Sequence, residues 1–111
     1  MKGDYLGEFE EIVMLAAATL YDEAYGYAIQ REITANSSRT PSLGAVHAAL
    51  HRLESKGFLQ SRLSEATTKR GGKKRRFFSL TSYGKRALET KRNLRESMWR
   101  KIPKIVFEDL E

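Results

Sequence analysis

Apolar side chains recur at helical spacing near the start of the chain. Between residues 5 and 20 they form a broad stripe, and Asp4 precedes it as a candidate N-cap. Spacings of three and four residues place such side chains on one face of a helix. We therefore predict a first helix over 5–20, with an apolar face made of Leu6, Phe9, Val13, Ala16, Ala17 and Leu20 and widened by Ile12 and Leu15.

Two further helices are predicted after the first. The segment 24–33 has a helical apolar pattern and is followed by a terminating Asn-Ser-Ser sequence. A third helix is predicted over 41–56, because Pro41 is tolerated in a first turn and Gly57 is a typical stop. Its apolar line consists of Leu43, Val46, Leu50 and Leu53, and its other face carries Ser42, Ala45, Ala48, Ala49, His51, Arg52 and Ser55.

The apolar pattern changes to a period of two after residue 57. Residues 58–64 and 75–81 are short segments rich in aromatic and aliphatic side chains, which predicts two strands. Gly71 and Gly72 lie between them and can take the positive φ angles of a tight turn. The two segments therefore form a β-hairpin with a long tip.

A fourth helix is predicted from Thr81, whose hydroxyl can cap it, to about Ile102, because Pro103 cannot easily continue a helix. This order of elements is a winged helix-turn-helix, a mainly α fold with a small β-hairpin. We expect residues 1–81 to form a DNA-binding domain and 82–111 a C-terminal dimerisation helix. The predicted core contains Leu6, Phe9, Ile29, Ile33, Leu43, Val46, Leu50, Leu53, Leu63 and Leu80.

Basic residues are concentrated in the middle of the chain. The 111 residues include 20 Lys and Arg against 14 Asp and Glu, a net charge of +6. Residues 1–38 hold two basic and seven acidic residues, whereas residues 39–104 hold eighteen basic and four acidic ones. Such a block favours a surface that faces a polyanion, although a solvated basic surface would have the same composition.

Several classes of protein are excluded or disfavoured. The chain has no cysteine, which excludes a disulfide scaffold and Cys-ligated metal sites. It has no apolar run long enough for a membrane span and no basic-then-apolar leader, so we expect a cytoplasmic protein that does not contact membranes. It has no glycine-rich phosphate loop and no Ser-His-acid pattern, so we expect neither an enzyme nor a cofactor.

With the order of elements established, several segments resemble the PadR family of bacterial transcriptional regulators. The resemblance covers residues 5–90 and depends on the combination and order of its pieces. These are Gly26-Tyr27-Ala28-Ile29, Gly44-Ala45-Val46, the run from Ala49 to Leu59, the strand from Arg75 to Thr81, and Gly84 to Leu88.

The resemblance implies a homodimeric repressor that binds a palindromic operator in double-stranded DNA. The short subfamily has one long C-terminal helix, which supplies much of the dimer contact. Some of its members bind flat aromatic or cationic compounds beside a tryptophan between the two C-terminal helices. The chain has His47 and Ala48 where the family commonly has a Tyr-Pro pair whose tyrosine contacts DNA, so the resemblance alone establishes neither a DNA contact of His47 nor an operator preference.

With that resemblance, the exposed face of the third helix is expected to contact DNA; a solvated amphipathic helix is the alternative. Small side chains allow a close approach, and polar ones can donate to base edges or phosphates. His47 and His51 are four positions apart, but the HExxH glutamate is missing and Arg52 would repel a cation, so no metal site is predicted. The predicted contacts are Ser42, Gly44, Ala45, His47, Ala48, His51 and Arg52.

The hairpin supplies the predicted phosphate or minor-groove contacts. Six of its residues are basic: Lys69, Arg70, Lys73, Lys74, Arg75 and Arg76. Arg75 and Arg76 are adjacent in a strand, so only one of them can easily face the DNA. Tyr27 either packs in the protein or reaches a phosphate with its hydroxyl.

The fourth helix is too apolar for a solitary surface helix, which indicates an interface. We expect a symmetric dimer formed by the first and fourth helices. Trp99 either packs in that interface or contacts a small planar aromatic effector. The predicted interface residues are Leu6, Phe9, Leu88, Leu94, Met98, Trp99 and Ile102.

One alternative function remains open. A winged-helix module that binds RNA or another protein would have the same charge block, but it would not need two DNA half-sites. Competition between duplex DNA and structured RNA separates the two functions.

Overall fold

The computed structural model describes residues 5–65 and 74–109 of the chain. This part of the chain contains four α-helices, two strands and two short 3-10 turns, which confirms a mainly helical fold with a small hairpin. In chain order the longer elements are α1 (Glu8–Leu20), α2 (Gly26–Asn36), α3 (Leu43–Ser55), β1 (Leu59–Leu63), β2 (Arg76–Leu80) and α4 (Ser82–Arg100). The 3-10 turns are Tyr21–Glu23 and Lys104–Phe107.

Helix α1 begins later than its apolar pattern predicts. Its N-cap is Gly7, whose N–H donates to Oε1 of Glu10 at 3.1 Å. The prediction of Asp4 as the cap is therefore wrong, and Asp4 itself lies outside the described residues. A carboxylate three residues beyond the cap satisfies one of the exposed backbone donors of the first turn, so the helix can start at Glu8.

The predicted cap of α4 is confirmed, and α3 also begins with a side-chain cap. The Ser42 hydroxyl accepts a hydrogen bond from the N–H of Ala45 at 3.0 Å, and the Thr81 hydroxyl accepts one from the N–H of Gly84 at 3.0 Å. Gly57 follows α3 with a φ of 86°, a left-handed conformation that glycine adopts without strain.

The two strands form an antiparallel hairpin. Leu59 lies opposite Leu80, and Leu63 lies opposite Arg76. The segment between α1 and α2 pairs with the outer edge of β2 at a single residue, because Tyr25 forms an isolated antiparallel bridge with Phe77. The hairpin is therefore attached to the helical body on its β2 edge.

The core lies where α1, α2 and α3 meet the hairpin, and three expectations about it are wrong. Leu43 and Leu63 are 39% and 51% exposed, because they lie at the start of α3 and at the far end of β1, beyond the packed helices. Ala49 is fully buried, because α3 packs against both α1 and α2. The buried core side chains are Leu6, Val13, Met14, Ala16, Ala17, Ala24, Ile29, Ile33, Val46, Ala49, Leu50, Leu53, Phe58, Leu59 and Phe78.

Leu15 also departs from its prediction, since it is 49% exposed. It lies two residues from the fully buried Val13, about 200° around α1, so it faces away from the core. The apolar face of α1 is therefore narrower than its sequence indicates.

Helix α4 packs on the body mainly through its first turns. Gly84 lies so close to the Phe58 carbonyl oxygen that a Cβ at position 84 would clash with it. Farther along, the contact with α1 includes an ion pair of 3.6 Å between Arg95 and Glu11. None of the helices that the structure describes is both long and apolar enough to cross a membrane.

Candidate nucleic-acid interface

One face of α3 is free of contacts with the core. Burial of Val46, Ala49, Leu50 and Leu53 on one side leaves the opposite side open. All seven residues predicted for this helix are exposed there: Ser42, Gly44, Ala45, His47, Ala48, His51 and Arg52.

The middle of this face is made of small side chains. Gly44, Ala48, His51 and Ser55 follow one another at spacings of four, three and four residues, so they form one line along the helix. His51 is the only long side chain on that line. Because these side chains are small, another molecule can approach the backbone of α3 closely along this line. The imidazole of His51 can donate or accept a hydrogen bond there.

His47 lies at the edge of the face that borders α2. Its ring packs over Gly26, the buried first residue of α2, where a Cβ would lie 2.6 Å from Cε1 of His47. The missing side chain at position 26 thus allows the start of α2 and the middle of α3 to meet.

Arg52 lies at the other edge of the face, beside α1. Its Nε donates to Oε2 of Glu10 at 3.0 Å, while the guanidinium side chain stays 53% exposed. Lys56 also donates to Glu10, at 3.0 Å to Oε1. Arg52 is therefore shared between the predicted DNA surface and a contact within the protein.

Glu10 is a residue whose role sequence reasoning missed. Its carboxylate is buried, yet it accepts hydrogen bonds from Gly7, Arg52 and Lys56. Burial acts to raise the pKa of Glu10, but the hydrogen bonds from Gly7, Lys56 and Arg52 and the charge of Lys56 together hold the pKa below its ordinary value. The available signal was an acidic residue within the apolar stripe of α1.

Arg76, the first residue of β2, and Arg75, just before it, point to opposite faces of the hairpin. Arg76 donates from Nη1 to the Ser61 hydroxyl at 3.1 Å, and Ser61 donates to Glu54 of α3 at 2.7 Å. Arg75 instead lies over the ring of Tyr25, with its Cζ 4.1 Å from the ring centroid. Lys74 is exposed, whereas the predicted contacts Lys69, Arg70 and Lys73 lie outside the described residues.

Tyr27 is not a core residue, since it is 50% exposed in the first turn of α2. Arg31, one turn later, lies over its ring with its Cζ 5.7 Å from the centroid. Of the two roles considered for Tyr27, packing inside the protein is thereby disfavoured.

Helix α4 carries an exposed apolar surface toward its C-terminal end. Leu94, Met98 and Trp99 are each at least 60% exposed, and Ile102 is 36% exposed. Trp99 stacks on Phe107, with ring centroids 5.4 Å apart. A surface cavity of about 500 Å³ beside Trp99 is lined by Arg95, Glu96 and Arg100.

The other predicted interface residues are less exposed. Leu6 is buried in the core of this chain, so it offers little surface to a second copy. Phe9 and Leu88 are half-buried and pack against the edge of the same core. Within the described ranges, no three His, Asp or Glu side chains lie together as a metal site would require.

The comparisons with known proteins identify the family. Residues 14–90 match the sequence profile of the transcriptional regulator PadR-like family. The chain belongs to this family. Because PadR-like proteins are transcriptional regulators, the chain is a regulator and not an enzyme. A comparison with curated proteins gave no match.

Solved structures of PadR proteins have the same fold. A PadR family transcription regulator from Clostridium difficile is 30% identical, with a TM-score of 0.67 over 93% of this chain and 99% of that one. A PadR-like regulator from Bacillus cereus is 16% identical, with a TM-score of 0.70 over 88% of this chain and 90% of that one.

One of the similar structures was solved in complex with operator DNA. It is PadR from Bacillus subtilis, 18% identical, with a TM-score of 0.58 over 87% of this chain and 51% of that chain. The present chain thus corresponds to about half the length of the Bacillus subtilis protein. These comparisons confirm the winged helix-turn-helix architecture.

Proposed function

We propose that this PadR-like protein is a repressor that binds a palindromic DNA operator as a homodimer. The observation that carries the proposal is the exposed face of α3, which has small side chains along its middle and His47 and Arg52 at its two edges. An α-helix with such a face fits the major groove, whose width admits one helix. In this proposal residues 1–81 bind DNA and residues 82–111 form the dimer.

The residues of α3 and of the hairpin have different tasks in this proposal. His51 and Arg52 read base edges, and the methyl groups of Ala45 and Ala48 meet apolar base surfaces. Tyr27 and the basic residues of the hairpin contact phosphates, which adds affinity without sequence preference. The predicted hairpin contacts are Lys69, Arg70, Lys73, Lys74, Arg75 and Arg76.

The second copy of the chain covers the apolar end of α4. Leu94, Met98 and Trp99 form an exposed apolar surface of the kind that marks an interaction site, and a symmetric contact would bury them. Binding to two half-sites one DNA turn apart requires the two α3 helices of the dimer to lie about 34 Å apart.

A small planar aromatic effector is the proposed signal for release. It would lie beside Trp99, in the cavity lined by Arg95 and Arg100, and would change the separation of the two α3 helices. Quenching of Trp99 fluorescence together with release of DNA supports this mechanism. If planar aromatic compounds cause neither effect, the mechanism is wrong.

The proposed function is tested by fluorescence anisotropy with duplex DNA from upstream of the protein's own gene. We expect a preference of about a thousandfold or more over scrambled DNA at near-physiological salt. Equal and steeply salt-dependent binding to both duplexes contradicts an operator at this location. Stronger binding to structured RNA than to either duplex supports an RNA-binding module instead.

A further inference from the structure

Four side chains form a row of contacts on the outer face of the hairpin, with two aromatic rings in the middle and one guanidinium at each end. The Cζ of Arg75 lies 4.1 Å from the ring centroid of Tyr25, the rings of Tyr25 and Phe77 form a T-shaped pair with centroids 5.8 Å apart at 76°, and the Cζ of Arg62 lies 4.9 Å from the centroid of Phe77. We call these four residues, Arg75, Tyr25, Phe77 and Arg62, the wing stack. Two aromatic rings in contact lie at its centre, and each ring attracts one guanidinium.

The register of the sheet brings these residues together. Phe77 of β2 lies opposite Arg62 of β1 on one side and bridges to Tyr25 on the other. Directly opposed residues of antiparallel strands project from the same face, and so do residues two apart in extended backbone. Arg75 precedes β2 by one residue, and its carbonyl still accepts a hydrogen bond from the N–H of Ser64, so it lies on the face of Phe77. The buried Phe78 projects from the other face, into the core.

Tyr25 connects the wing stack to the helical body. It is the N-cap of α2, and the preceding residue, Ala24, is fully buried. The carbonyl of Ala24 also accepts a hydrogen bond from the N–H of Phe78 at 2.8 Å. The backbone that carries the ring of Tyr25 is therefore fixed by the start of α2 and by the sheet. Arg75 lies outside these elements, between Lys74 and β2.

Stacking uses the flat face of a guanidinium and leaves its N–H donors, which lie in the plane, available to an anion. A guanidinium held in this way is already oriented, so less side-chain freedom is lost when it binds a phosphate. Arg76 differs, because one of its N–H groups already donates to Ser61.

We propose that Tyr25 is a positioning residue for DNA binding, whose ring holds Arg75 in the orientation that contacts the DNA backbone. This inference rests on the proposed function. It assigns the phosphate contact to Arg75 in preference to Arg76, and it makes Tyr25 a determinant of affinity without any contact of its own with DNA.

The test uses a mixed-sequence duplex of about 30 base pairs, long enough for two half-sites one turn apart, so no operator has to be known. Binding by the full chain is measured by anisotropy at several salt concentrations. We expect Tyr25→Leu to weaken binding about tenfold, as the product of about threefold for each of two wings. We expect Tyr25→Phe, which keeps the ring, to bind like the wild type.

A double-mutant cycle separates positioning from a merely structural role. If Tyr25 acts through Arg75, the Tyr25→Leu, Arg75→Gln double variant binds no more weakly than Arg75→Gln alone. Arg76→Gln is the matched control, and its effect should multiply with that of Tyr25→Leu. Arg75→Gln should also flatten the salt dependence by about one phosphate contact per wing, and Tyr25→Leu should flatten it in the same direction.

Three results would overturn the inference: wild-type affinity in Tyr25→Leu, equal losses in Tyr25→Phe and Tyr25→Leu, or multiplying effects of Tyr25→Leu and Arg75→Gln. If thermal unfolding shows that Tyr25→Leu is not folded, Tyr25→Met replaces it, because an unbranched side chain adapts to the space of the ring. A wild-type protein that does not bind duplex DNA would instead contradict the proposed function itself.

Discussion

The imidazole of His47 occupies the space in which a side chain at position 26 would have to lie. A Cβ on Gly26 would be 2.6 Å from Cε1 and 2.8 Å from Nε2 of the ring. The position of the His47 ring on the exposed face of α3 thus depends on the absence of a side chain at Gly26. Replacing the first should move the second.

Gly26→Ala should displace His47 without unfolding the protein. His47 is exposed and its ring can rotate, and Gly26 is the first residue of α2, where alanine gains less than its helix-interior preference of roughly 1 kcal/mol. The free energy of unfolding should therefore change by less than about 1 kcal/mol. DNA affinity should fall, because the ring would leave the position at the edge of the α3 face from which it is expected to contact DNA. Denaturant unfolding and anisotropy measure the two effects.

The double variant Gly26→Ala, His47→Ala is the control for that experiment. It should bind DNA like His47→Ala alone, because no ring remains to be displaced. A loss of more than about 2 kcal/mol of stability in Gly26→Ala would mean that the contact is rigid, as in an overpacked core.

Glu10 should make stability depend on acid pH. Its pKa in the folded protein lies below the value of the unfolded chain, so the folded state favours the ionised form. The stabilisation is present above the unfolded pKa and is lost as the pH falls through the folded pKa. Denaturant unfolding from neutral pH down to about pH 3 should show this decline in the wild type and less of it in Glu10→Gln.

At neutral pH, Glu10→Gln should cost about 1–2 kcal/mol, because Arg52 and the largely buried Lys56 lose their charged partner. Glu8→Gln is the matched control, since the Glu8–Arg39 pair is exposed and should contribute less than about 1 kcal/mol. Equal losses in the two variants would contradict a special role for Glu10.

Residues of α3 and of the hairpin should affect DNA binding in different ways. His51→Ala or Arg52→Ala should change the sequence preference, because each removes about 1–3 kcal/mol of binding free energy that discriminates between bases at the contacted base pair. Lys73→Ala with Lys74→Ala should weaken binding to all sequences alike and flatten the salt dependence. Anisotropy with a set of single-base variants of the preferred duplex, at several salt concentrations, measures the sequence preference and the salt dependence. If the α3 variants and the hairpin variants change these two properties in the same way, the proposed difference between the two elements is wrong.

The exposed end of α4 should hold the dimer. Leu94→Glu with Met98→Glu should shift the chain from dimer to monomer in light scattering, because charged side chains oppose burial in an apolar interface. Far-UV circular dichroism should be unchanged, since both positions are exposed within one chain. Glu89→Lys, on another side of α4, is the control, and a double variant that remains dimeric places the interface elsewhere.

Local signals in the sequence were sufficient to predict the order of the elements. Ser42 and Thr81 each have a hydroxyl that caps the amides just after them, and Gly57 is free to take a left-handed φ. Such interactions join residues only a few positions apart, so the residue types alone indicate them. The same holds for the alternation that predicts β1 and β2, and for the exposure of the residues predicted for α3.

The side-chain partners, by contrast, were decided by the tertiary structure. Glu10 meets Arg52 and Lys56 across 42 and 46 positions, and Tyr25 meets Arg75 across 50. Ala49 is buried because two helices, not one, cover α3. These contacts depend on the angles and distances at which separate elements pack. A periodicity identifies which face of a helix is apolar, but it does not specify what lies against the edges of that face.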